Sequence, residues 1–214
     1  MAFNSIDRLL RGQAPAQSLR DVRFRLGVLI IAGSTYGAVM GAFGGLRARQ
    51  ALYSATKVPL FLLATFALSL PSFFVVNTLV GLRNDFSRAL AAIAGCQATL
   101  TLILVSLAPF TALWYLSDPQ YPDAILFNAL MFAVASFSAQ IVLRRSYRPL
   151  IARNSRHRPM LGTWLCIYIF VGIQMAWVLR PFIGEPALPT RFLRPDAFSN
   201  AYISVAHIIA DRFR

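Results

Sequence analysis

The side chains that most often do chemistry in proteins are few in this chain and are poorly spaced to act together. The 214 residues include two histidines, His157 and His207, and two cysteines, Cys96 and Cys166. These residues do not show the spacing of a zinc site, and the sequence contains no HExxH, GxSxG or GxxxxGK motif. We therefore expect no catalytic residue, no metal and no cofactor, and we predict that the protein is not an enzyme.

Amide side chains within apolar runs are the first polar feature. A buried amide in lipid gains about 0.6–2 kcal/mol by bonding to a neighbouring helix. We therefore expect these residues to hold helices together; the alternative is that they line a polar path or a small-ligand pocket. The intramembrane amides are Asn77, Gln97, Asn128, Gln140 and Gln174.

Arginines are the second polar feature, since Lys57 is the one lysine among 21 basic residues and the net charge is +13. The bases lie in short segments between apolar runs, which argues against nucleic acid as a partner. A guanidinium matches the geometry of a phosphate, so an anionic-lipid or acidic-partner site is one hypothesis, and a topology anchor is the other. The candidate residues are Arg144, Arg145, Arg148, Arg153, Arg156, Arg158 and Arg180.

Composition places all of these residues in a membrane. The chain is 57% hydrophobic, and its 14% of charged residues is well below the roughly 25% of soluble domains. Five apolar runs of 20 or more residues are each long enough to cross about 30 Å of hydrocarbon. They cover 26–46, 58–82, 89–116, 124–143 and 160–179, all without a charged residue. The sequence predicts an all-α, polytopic transmembrane bundle of about five spans.

The first run carries glycines at four-residue intervals, at Gly33, Gly37, Gly41 and Gly45. This spacing leaves a helix face without side chains, along which another backbone can approach closely. We predict a helix-packing interface of the glycine-zipper type, formed either with a helix of the same chain or with another subunit. Because glycine contributes little apolar transfer energy, a re-entrant segment is the alternative to a full span here.

The basic residues also predict orientation, because they are enriched in cytoplasmic loops. Thirteen of the 21 bases fall on the side of the N-terminus and eight on the other. We expect a cytoplasmic basic segment at 1–25, a five-helix domain at 26–179 and an extracytoplasmic tail at 180–214, in a bacterial inner membrane. Residues 5–11 and 196–213 show the spacing of short amphipathic helices, and four prolines between 181 and 195 indicate an extended, structured linker.

The five-span layout, together with the segment ATKVPLFLLATFALSLPSFFVVNTLVG at 55–81, resembles the Yip family of integral membrane proteins. The resemblance implies a five-helix membrane domain. The acidic DLYGP-like motif of the eukaryotic members is absent, so their small-GTPase and trafficking role is not carried over and no site residue is assigned.

These observations predict a non-enzymatic structural or accessory subunit of a membrane complex or homo-oligomer. Its expected partners are membrane lipids, anionic ones included, and other membrane subunits or copies of itself. The alternative is a small channel or passive permease lined by amides and glycines, and a lipid-binding or lipid-moving role is a third hypothesis.

Overall fold

A computed structural model describes residues 2–12, 19–45, 47–117 and 120–194. These residues form six α-helices and one short 3-10 helix, with no strand among them, and this confirms the predicted all-α class. The helices are α1 (Ala2–Leu10), α2 (Leu19–Gly41), α3 (Ala48–Leu79), α4 (Phe86–Ser117), α5 (Tyr121–Arg153) and α6 (His157–Leu179), with the 3-10 turn Arg83–Asp85 before α4. The predicted C-terminal helix and His207 lie outside the described residues.

Within the described residues five helices are long and apolar enough to cross a membrane, namely α2 to α6. The protein is therefore a multi-pass transmembrane helical bundle. Helices α3 and α4 have 32 residues each and measure about 48 Å at 1.5 Å per residue. They are longer than the roughly 30 Å hydrocarbon layer, so they must tilt or extend into the interface.

The helices are not arranged in chain order. Helix α2 packs against both α3 and α4, α6 packs against α3, and α5 packs against α4. Helices α5 and α6 follow one another in the chain but share few contacts, and the same is true of α3 and α4. The glycine-containing helix α2 therefore lies between α3 and α4, while α5 and α6 occupy opposite edges with a cleft between them.

Close approach of α2 and α3 depends on two glycines. A Cβ placed on Gly37 would overlap the backbone carbonyl of Ser54, and a Cβ on Gly41 would lie 2.8 Å from the Cα of Ala51. In both cases the added Cβ would lie closer to the α3 backbone than real Cβ atoms approach other atoms. Neither position therefore has room for a side chain. Helix α3 supplies small residues at the matching positions, and the two backbones meet there.

The other two glycines of the series have different surroundings. A Cβ on Gly33 would be in ordinary contact with Thr101 of α4 at 3.5 Å and Pro59 of α3 at 3.6 Å. Gly45 follows the end of α2, with a positive φ of 106° and nothing within 4 Å of a Cβ. The close contact to α3 therefore covers the second half of α2 and does not reach Gly45.

The bundle has two chemically different ends. We call one the linker end, where α3 and α5 begin, where α2, α4 and α6 end, and where the linker, residues 181–194, follows α6. We call the other the amino-terminal end, where α2, α4 and α6 begin. Helix α1 packs there: Leu9 is buried, and the Gly12 carbonyl accepts a hydrogen bond from Ser146 of α5 at 3.1 Å.

Candidate functional site at the linker end

The linker has no regular secondary structure, and its backbone carbonyls are bonded by side chains of the helices instead. The donor–acceptor pairs are Lys57 to Pro181 (2.6 Å), Ser54 and Gln50 to Phe182, Tyr121 to Ile183 (3.1 Å), and Arg47 to Gly184 and Glu185 (3.2 Å). An unpaired buried carbonyl costs about as much as a lost hydrogen bond. These side chains therefore determine where the linker lies.

Four of the five donors lie on one face at the start of α3. Arg47, Gln50, Ser54 and Lys57 are three, four and three residues apart, which places them on one side of a helix. This polar face was not part of the predicted second span, because that span begins at residue 58. The helical spacing of these polar residues is the sequence signal that could have revealed it.

Lys57 is a charged residue within the helix of the second predicted span, immediately before that span begins at residue 58. Helix α3 begins at Ala48, so Lys57 lies inside the helix, and its side chain is 0% exposed. Its ammonium contacts the Pro181 carbonyl and lies 5.0 Å from the centroid of the Phe192 ring. Among the described residues no carboxylate lies within 4 Å of Lys57. A charged side chain within a span is costly and usually marks a functional position.

Two cavities adjoin the linker. The larger, of about 600 Å³, lies between α5 and α6 and is lined mainly by apolar side chains such as Met40, Phe61 and Phe132. The smaller, of about 500 Å³, is lined mainly by polar side chains of the linker and of α3. The two cavities share Tyr121 and Arg194 in their walls.

Positive charge dominates the walls of both cavities. Arg180 and Arg194 border the apolar cavity, while Arg47, Arg191 and Arg194 border the polar one. The Arg180 guanidinium lies 3.3 Å from the centroid of the Trp177 ring, an arrangement of the cation–π type. Glu185 is the one acidic residue in either wall.

Two of the predicted intramembrane amides join helices. Asn128 of α5 accepts a hydrogen bond from Tyr36 of α2 at 3.0 Å and donates one to Tyr115 of α4 at 2.7 Å. Gln97 of α4 accepts from Tyr168 of α6 at 3.0 Å. These bonds connect all of the spans except α3.

The remaining amides are not part of this arrangement. Asn77 is fully buried near the end of α3, and neither its amide oxygen nor its nitrogen has a partner among the described residues. Gln140 and Gln174 are partly exposed. Asn77 and Asn128 lie toward opposite ends of the bundle, so the five amides do not form one group.

The predicted arginine cluster is also divided between the two ends. Six members lie exposed at the amino-terminal end, on the last part of α5 and on its connection to α6. One of them, Arg156, donates to the Val80 carbonyl at 3.3 Å. Arg180 belongs to the linker end instead, so a single site cannot contain all seven residues.

The amino-terminal end pairs its buried bases with acids. Arg25 is 5% exposed and donates to the Ala91 carbonyl at 2.6 Å, with Asp21 one turn away as its electrostatic partner.

His157 shows the same pairing. It is fully buried, and its Nε2 lies 3.3 Å from Asp85, which also accepts from Arg88 at 2.9 Å. At the linker end, Lys57 has no carboxylate within 4 Å among the described residues.

Comparison with known proteins adds no assignment to these observations. No protein-family model matches the chain, and neither a curated protein nor a solved structure shows significant similarity to it. The functional argument therefore depends on the residues themselves.

Proposed function

We propose that the chain is a non-catalytic integral membrane protein that serves as a structural or accessory subunit, in a homo-oligomer or in a larger membrane complex. The uneven burial of the spans carries this proposal. Half of the most apolar window of α4 is buried within the chain, compared with 17% for α5 and 6% for α6. A helix that its own chain barely covers has sides that contact either lipid or another membrane helix, and an assembly would bury them by close packing.

The channel alternative receives less support from the geometry. A conducting path needs polar groups directed into a continuous opening. Asn128 and Gln97, two of the amides that could line such a path, are bonded to tyrosines of neighbouring helices. Their role in helix packing favours a scaffold over a conduit.

We further propose that the amino-terminal end faces the cytoplasm and the linker end faces outward, in a bacterial inner membrane. The support is the distribution of arginines, which are concentrated in the connections at the amino-terminal end. The Yip-like resemblance remains a proposal supported by the five-span layout, and it assigns no residue of the site.

A native cysteine allows a direct test of assembly. Cys166 lies exposed on α6, whereas Cys96 is buried in α4. If copies meet through α6, mild oxidation of native membranes should produce a dimer band on a non-reducing gel. That band should disappear in Cys166→Ser and persist in Cys96→Ser.

Purification in gentle detergent followed by mass spectrometry tests the larger complex. A stoichiometric membrane protein that co-purifies with the full chain supports the accessory role. A chain that purifies alone, runs as a monomer and forms no cross-link contradicts it.

A further inference from the structure

An apolar cavity and a basic cavity share a wall at the linker end. The apolar cavity extends between the edge helices α5 and α6, and its volume of about 600 Å³ lies within the usual range of ligand pockets. The basic cavity beside it is about 500 Å³. Arg194 and Tyr121 border both cavities, so one molecule can occupy the two at once.

Bases outnumber acids in the walls of the two cavities. The two walls contain four arginines and one carboxylate, Glu185. Buried Lys57 adds a further cation close enough to Arg194 for the two to repel each other. Its ammonium has three donors, and one of them is used by the Pro181 carbonyl. An anion in the basic cavity would offset this repulsion.

We infer that the linker end binds an anionic phospholipid. Its phosphate lies in the basic cavity near Arg191 and Arg194, and one acyl chain lies in the apolar cavity against Phe61 and Phe132. The forked guanidinium donors suit phosphate oxygens, and the apolar wall selects a ligand that has a hydrocarbon chain. This inference does not depend on assembly, because a monomer can bind the lipid equally well.

Charge also distinguishes this ligand from the chain's own C-terminal segment, which continues from Arg194. Residues 195–214 contain two aspartates, Asp196 and Asp211, and two arginines, Arg212 and Arg214. Their side-chain charges sum to zero, so this segment brings no net negative charge to match the basic walls. A phospholipid with a net negative headgroup brings one.

Native mass spectrometry of the full chain in mild detergent tests the inference. The protein is offered phosphatidylglycerol and phosphatidylcholine in equal amounts, and phosphatidylglycerol should be retained about tenfold better. The double variant Arg180→Gln/Arg194→Gln should lower that retention about tenfold or more, since each base near an anionic lipid contributes measurably. The matched control Arg145→Gln/Arg148→Gln removes two exposed arginines at the other end and should change nothing.

A second variant separates a lipid from a free phosphate ion. Ala176 lines the apolar cavity, so Ala176→Phe fills it without altering any charge. Phosphatidylglycerol retention should fall in this variant, while binding of inorganic phosphate should stay unchanged. A melting temperature within a few degrees of the wild type shows that each variant is folded. Arg191→Gln, at an exposed position, changes the charge of the basic cavity less than the double variant does.

Three results would overturn the inference. Equal retention of the two lipids by the wild type would remove the need for an anionic headgroup. Loss of phosphatidylglycerol to competing inorganic phosphate, with no effect of Ala176→Phe, would indicate a small-anion site. A disulfide between cysteines introduced as Ala129→Cys and Tyr202→Cys, in a Cys166→Ser background, would place the C-terminal segment in the cavity.

Discussion

The two ends of this bundle bury positive charge in different ways. At the amino-terminal end, Arg25 lies one turn from Asp21, and His157 contacts Asp85. At the linker end, Lys57 contacts a backbone carbonyl and an aromatic ring, with Arg194 as a further positive charge nearby. The buried bases of one end lie beside acids, while the buried lysine of the other end lies beside a backbone carbonyl and an aromatic ring.

The difference is in the partner that each buried base has. A buried charge that lacks a partner is expensive, and Asp21 and Asp85, two of the eight acids in the sequence, lie beside buried bases at the amino-terminal end. Among the described residues Lys57 has no carboxylate within 4 Å. The phospholipid site that we infer is at the end that contains this lysine.

The largest expected effect comes from α2, whose two halves belong to the two ends. Gly37→Leu should lower the free energy of unfolding by more than about 3 kcal/mol, because the new side chain would overlap the Ser54 backbone. Gly27→Leu is the matched control, since nothing lies within 4 Å of its Cβ position, and it should be neutral or stabilising. Unfolding in mixed detergent, followed by circular dichroism, measures both. Equal tolerance of the two changes would contradict close packing at Gly37.

A smaller effect distinguishes the two buried bases. Arg25→Met should destabilise by about 1–3 kcal/mol because the Ala91 carbonyl loses its charged donor. Lys57→Met should cost about 1 kcal/mol or less, since removal of an uncompensated buried charge offsets the lost bond to Pro181. The same unfolding assay ranks the two variants. A larger cost for Lys57→Met would indicate that the linker end does neutralise its lysine.

The smallest effect concerns the acids. Asp85→Asn removes the partner of His157 and Arg88 and should lower the free energy of unfolding by about 1 kcal/mol. This loss should be smaller in high salt, because Arg88 is half-exposed and its ion pair is screened. Glu185→Gln should stay within about 0.5 kcal/mol, because only the backbone carbonyl of Glu185 bonds to Arg47. Melting temperatures at two salt concentrations test this pair. A salt-sensitive loss in Glu185→Gln would reveal an ion pair at the linker end.

Local sequence features predict the spans but not their ends. The five apolar runs correspond to α2 through α6 because hydropathy alone decides whether a segment of 20 residues can cross a membrane. The apolar run that begins at residue 58 does not reveal that α3 begins at Ala48, since a lysine normally ends an apolar run. Lys57 is accommodated within the helix by Pro181 and Phe192, residues that no local pattern connects to it.

The candidate site could be predicted only in part for the same reason. The prolines predict an extended, structured linker, and residues 181–194 have no regular secondary structure but include a turn closed by Leu188 and Glu185. Phosphate binding by Arg180 stays a prediction. That the linker folds back onto α3 depends on hydrogen bonds between residues 124 to 138 positions apart. The partner of the glycine face was likewise left open, because the spacing of Gly37 and Gly41 shows that a backbone approaches but not which one.

The bond between Lys57 and the Pro181 carbonyl has a consequence for biogenesis. The two residues are 124 positions apart, so at roughly 5–20 residues per second the lysine leaves the ribosome about 6–25 s before its acceptor is made. During that interval α3 either stays at the insertion machinery or lies in the membrane with the Lys57 ammonium hydrated by water. The linker, which is made after all five spans, therefore completes the packing of the second, and nascent chains that stall before residue 181 should be the ones that quality-control proteases remove.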